Sequence, residues 1–131
     1  MLVDTSVWID YFNGHRSPEA NRLAQAMADG EPLAITGLIW TEILLGFRSD
    51  AEANRISGLL EAFDYVKEPT RADYIEAARI YRVCRTQGFT IRSTIDCVIA
   101  QACLRHGLEL LCKDRDFKAI ATCFPLRLIA P

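Results

Sequence analysis

The stretch Leu2-Val3-Asp4-Thr5-Ser6 decides the fold. Two apolar residues read as a short strand, Leu2–Asp4, that ends on a carboxylate. The chain then turns at once into a helical pattern, Ser6–Phe12, which Asn13-Gly14 stops. A strand feeding straight into a helix is the opening unit of a parallel sheet, because parallel neighbours need a crossover between them.

The same alternation continues along the chain. Ser17-Pro18 reads as an N-cap with proline at the first helical position, opening a helix to about Asp29 with Gly30 behind it. Pro32–Ile35 reads as a buried strand, and Thr36-Gly37 leads into a helix from Leu38 to Phe47. Ser49-Asp50-Ala51-Glu52, Thr70-Arg71-Ala72-Asp73 and Ser93-Thr94-Ile95-Asp96 have capping-box spacing. They predict helices ending near Glu61, Gln87 and Gly107. Phe63–Val66, Glu109–Cys112 and Leu126–Ile129 read as further strands. The expectation is a single domain over 1–131: an α/β fold, a three-layer α/β/α sandwich with a mostly parallel sheet of about five strands.

Composition narrows the class. Half of the 131 residues are hydrophobic, and no apolar run approaches the roughly 20 residues of a membrane span. No basic segment followed by an apolar one opens the chain, so it reads as cytoplasmic, without a signal peptide. The five cysteines are odd in number and form no C-x-x-C pair, which fits buried hydrophobes better than zinc or disulfides. The net charge of −2 conceals an asymmetry. Residues 1–78 carry six Lys and Arg against thirteen Asp and Glu, whereas residues 79–131 carry nine against four. A local basic face suits a polyanion, while the weak total charge argues against broad duplex binding.

Four acids stand alone at strand ends and helix starts: Asp4, Glu42, Asp96 and Asp114. An ionised carboxylate removed from water must find a cation or several donors, or take up a proton. Taken singly, each has an ordinary reading beside the functional one. Asp4 reads as a metal ligand at a strand end or as a helix N-cap. Glu42 lies in the nearly all-apolar Leu38–Phe47 helix, which reads as packed on both sides; it is a ligand or a rim residue reaching solvent. Asp96 is a ligand or the N3 member of the Ser93–Asp96 capping box. Asp114 and Asp116 interleave with Lys113 and Arg115 in a polar loop, as ligands or as a solvated turn, with Lys113, Arg115 and Lys118 facing phosphates in the functional reading. Brought to one point, these acids make a hard-oxygen site for Mg²⁺ or Mn²⁺.

The ordered set Leu2–Ser6, Trp40–Gly46, Ile91–Ala100 and Leu111–Phe117 resembles the PIN-domain ribonucleases, most closely the VapC-type toxins of bacterial toxin–antitoxin modules. The resemblance spans nearly the whole chain, with no acid missing. It implies an endoribonuclease toxin that cuts a structured RNA such as transfer or ribosomal RNA. It implies one or two Mg²⁺ or Mn²⁺ ions held by Asp4, Glu42, Asp96 and Asp114, with Asp116 as a further ligand. Thr5 and Ser6 would orient water or phosphate, and Arg92, Lys113 and Arg115 would contact RNA. A homodimer, a cognate VapB-like antitoxin and a higher toxin–antitoxin assembly are implied as well. Apolar residues around Trp8, Tyr11, Phe12, Trp40, Leu44 and Phe47 divide between the core and a groove for an amphipathic partner helix, whose cation would compete for the acids.

Three rivals share parts of the pattern. A phosphoacceptor receiver wants an acidic pair after the first strand and an acceptor Asp ending the third, whereas Asp64 lies inside Phe63–Val66. An aspartyl-nucleophile phosphatase wants an acid where Ser6 stands. A PIN-fold module that binds RNA without cutting it would not need four costly carboxylates together.

Overall fold

A computed structural model describes all residues, 1–131. Four two-residue strands form one parallel sheet: β1 (Leu2–Val3), β2 (Ala34–Ile35), β3 (Asp64–Tyr65) and β4 (Leu110–Leu111). Their spatial order is β3-β2-β1-β4, so β1 and β2 are the inner pair. Leu2 pairs with both Ala34 and Leu110, and Val3 pairs with Leu111. The fifth strand expected at Leu126–Ile129 shrinks to one parallel bridge between Leu110 and Leu128. Phe124-Pro125 precedes it, and proline has no amide to give a ladder.

Seven helices flank the sheet: α1 (Thr5–Phe12), α2 (Pro18–Ala28), α3 (Gly37–Leu45), α4 (Asp50–Leu60), α5 (Arg71–Thr86), α6 (Thr94–His106) and α7 (Arg115–Cys123). The core runs between sheet and helices, with Leu2, Val3, Ile35, Leu110, Leu111, Trp8 and Phe117 essentially without exposure. Trp8 stacks on Phe12 and tilts against Phe63. Local signals set most boundaries. The Ser17 hydroxyl caps α2, and Thr36 and Ser49 cap α3 and α4. Thr70 and Asp73 complete a reciprocal capping box at α5. Gly107, at φ +64°, closes α6 in the left-handed conformation that glycine adopts without steric cost. At the start of α3 the side chain of Tyr65 crosses so closely that a Cβ on Gly37 would lie 2.6 Å from its hydroxyl.

Three local expectations change. The Ser93 side chain makes no capping hydrogen bond, so Asp96 is not part of a capping box. The run after Asp114 is no loop but the helix α7, with Asp114 as its N-cap through a 2.8 Å bond from the Asp116 amide. The α3 helix is packed on one side only: Ile39 and Ile43 are buried while Leu45 is 78% exposed.

Candidate active site and metal centre

The pairing of β1 with β4 fixes the site. The Asp4 amide donates to the Leu111 carbonyl at 2.9 Å, so Asp4 and the segment leading to Asp114 leave the sheet side by side. Ligands in such sheets collect beyond the carboxyl ends of strands. The first turn of α6 brings Asp96 to the same place, and oxygens of Asp96, Asp114 and Asp116 lie within 4.8 Å of one another.

Asp4 and Glu42 form a second pair beside that trio. Asp4 is 6% exposed, and its side chain makes no hydrogen bond that caps α1. The Ser6 hydroxyl donates to Asp4 at 3.1 Å, and the Thr5 hydroxyl donates to Glu42 at 2.8 Å. The two hydroxyls thus hold carboxylates in place. Burial pushes the Asp4 pKa up; the Thr5 amide and Ser6 hydroxyl pull it back, and the charge of Glu42 adds to the rise. Asp96 is pushed further, to about 7, first by burial and then by repulsion from Asp4, Asp114, Asp116 and Glu42. The charges of Asp4, Asp114, Asp116 and Glu42 are thus all felt at Asp96.

The cations divide. Arg92 spans two of the acids: its guanidinium reaches Asp114 at 3.3 Å and Asp116 at 3.4 Å, and its own amide donates to Asp116 at 3.1 Å. Lys113 turns away to Asp10 at 2.6 Å and holds that carboxyl below its ordinary range. Both were expected to face RNA; here both are engaged by carboxylates. Arg115 remains exposed, without an ion pair. Asp10 escapes the sequence reading because its partner lies 103 positions away.

The residues fit a divalent cation. The donors are all carboxylate oxygens, the kind Mg²⁺, Mn²⁺ and Ca²⁺ prefer. Their mutual repulsion, felt at Asp96, is what a bound positive charge relieves.

Short parallel strands with an acid site beyond their carboxyl ends define the class: an α/β protein built to present converging carboxylates. Residues 1–122 match the PIN domain family. The chain is similar to ribonuclease VapC11 of Mycobacterium tuberculosis, 33% identical over 122 residues that cover 92% of this chain and 91% of that protein. Ribonuclease VapC51 of the same organism is 31% identical, covering 99% and 93%. The fold matches VapBC2 from Rickettsia felis, whose crystal structure holds a DNA fragment from their promoter, with a TM-score of 0.74 at 16% identity and coverage of 98% and 96%. The chain belongs to the PIN-domain family, among the VapC ribonucleases.

Proposed function

We propose that this protein is a divalent-metal-dependent endoribonuclease toxin restrained by a cognate antitoxin. The observation that carries the reading is the gathering of Asp96, Asp114 and Asp116 oxygens within 4.8 Å, with Asp4 and Glu42 acting on the same carboxylate. Asp96, Asp114 and Asp116 would hold Mg²⁺ or Mn²⁺, with Asp4 and Glu42 as the remaining ligands. When bound, the cation supplies the positive charge that activates water and offsets charge developing on the phosphate.

The chain's own residues do the rest. Thr5 and Ser6 orient Glu42 and Asp4, so these carboxylates need not reorganise when substrate arrives. Arg92 fixes Asp114 and Asp116 through its two ion pairs. The 2′-hydroxyl of RNA is not required as nucleophile, so the expected ends are 5′-phosphate and 3′-hydroxyl.

Ile9, Tyr11 and Leu45 are exposed apolar residues on α1 and α3, and Leu59 adds another on α4. They support docking of an amphipathic antitoxin helix, as the VapBC relatives' partnership suggests for this chain. Trp8 belongs to the core instead, and Phe12, Trp40, Leu44 and Phe47 are half-buried. A homodimer belongs to the same proposal.

The test is cleavage of cellular RNA by purified protein with Mg²⁺ or Mn²⁺, with and without EDTA. Asp96→Asn should lower cleavage by at least two orders of magnitude while keeping the wild-type circular dichroism spectrum. Wild-type rates in that variant, or in EDTA, would refute the reading.

A further inference from the structure

We infer that the groove beside α7 is a subsite for backbone phosphates of a single RNA strand next to the cleaved bond, with Arg115 and Lys118 as its phosphate-binding cations. This rests on the ribonuclease reading of the acid site. A cavity of about 390 Å³ opens between the turn Gly88–Thr90 and α7. Asp116 of the acid cluster is among its lining residues, so the cavity lies beside that cluster. Arg115, Lys118 and Thr122 stand three and four residues apart, which places them on one face of the helix, and all three line the cavity. A second cavity of about 280 Å³, reaching Gln87 at the end of α5, shares Phe89 and Thr122 with the first. The two make one groove leading away from the acids.

Charge identifies the occupant. The nearby cations Arg92 and Lys113 are taken by Asp114, Asp116 and Asp10. Arg115 and Lys118 are exposed and pair with no carboxylate. Two free cations in a groove beside a phosphodiester-cutting site meet the phosphates flanking the cut. They neutralise charge without reading bases, so they act as positioning residues for the strand.

The test is binding of a fluorescein-labelled, twelve-nucleotide single-stranded RNA to the metal-free protein, measured by anisotropy over a salt series. Against wild type, R115Q/K118Q should bind about tenfold more weakly. The slope of log K against log salt should shrink by about 1.4, the share of two phosphates on a single strand. R22Q/R127Q, removing two cations away from the groove, should bind as wild type. With metal, R115Q/K118Q should raise KM for the same RNA about tenfold with kcat within twofold. Unaltered affinity and slope, an equal loss in R22Q/R127Q, or no RNA binding by wild type would overturn the subsite. Wild type that binds RNA but cuts none under any metal would instead remove the ribonuclease reading, with the binding series still deciding the groove.

Discussion

Asp96 is burdened by burial and by the charges of four neighbouring carboxylates, Asp4, Asp114, Asp116 and Glu42. Its pKa of about 7 means that, without metal, this carboxyl is half protonated at neutrality. The folded value lies above the unfolded one near 3.8, so the folded state favours the protonated form. That favour is fully present below about pH 4 and lost as pH rises through 7. Water still reaches part of the group, which lowers the effect to on the order of 1–2 kcal/mol. Asp96→Asn removes the ionisable group and should melt higher than metal-free wild type at pH 8, with the gap closing at pH 5. Thermal melts at the two pH values check it; equal gaps would mean that Asp96 is not strained by its neighbours. Sequence marked Asp96 as an isolated acid with two readings. The missing Ser93 cap leaves the strained one, and no local rule reports that a cap fails to form.

At the scale of elements, the α5–α6 contact turns on Asp73. It caps α5 through Thr70 and accepts from Gln101 and Arg105 of α6, both at 3.1 Å. The Thr70 amide and the Gln101 side chain lead in pulling its pKa down to about 2. Asp73→Ala leaves a cap unfilled and two α6 donors without their acceptor, which should cost about 2–3 kcal/mol in denaturant melts at pH 7. A lowered pKa stabilises the fold above about 3.8, and that contribution fades as pH falls toward 2. Variant and wild type should therefore converge between pH 4 and pH 2; a constant difference would refute the linkage. The capping box was legible because Thr-x-x-Asp is local. Its bonds to Gln101 and Arg105, 28 and 32 positions on, were not. The α7 helix was missed for a different reason. Its start, Lys113-Asp114-Arg115-Asp116, is charged at four successive positions and hides the apolar spacing of Phe117 and Ile120. Leu126–Ile129 erred the other way, being apolar enough for a strand yet pairing at one position.

Across the whole molecule, the fold gathers carboxylates from residues 4 to 116 at one end of a sheet only two residues deep. Alternating strand and helix signals made that layout readable. Convergence was readable only indirectly, from Asp4, Glu42 and Asp96 having no basic partner at helical spacing and from the ordered motifs that resemble the PIN-domain ribonucleases. A cluster assembled from β1, α3, α6 and the start of α7 exists only in the folded chain, so a cation that binds it binds the native state alone. Such a ligand stabilises by about 2.7 kcal/mol at one hundred times its Kd. For a domain of this size each kcal/mol is worth roughly 3–5 °C. Mg²⁺ or Mn²⁺ should therefore raise the melting temperature by about 8–13 °C near saturation, and Asp96→Asn should remove most of the rise. Binding must also strip the proton that Asp96 half retains at pH 7. Calorimetry in two buffers of different ionisation enthalpy should report release of about half a proton per site at pH 7 and close to none at pH 9. Stabilisation that survives in Asp96→Asn, or metal uptake without proton release at pH 7, would place the cation somewhere other than among these acids.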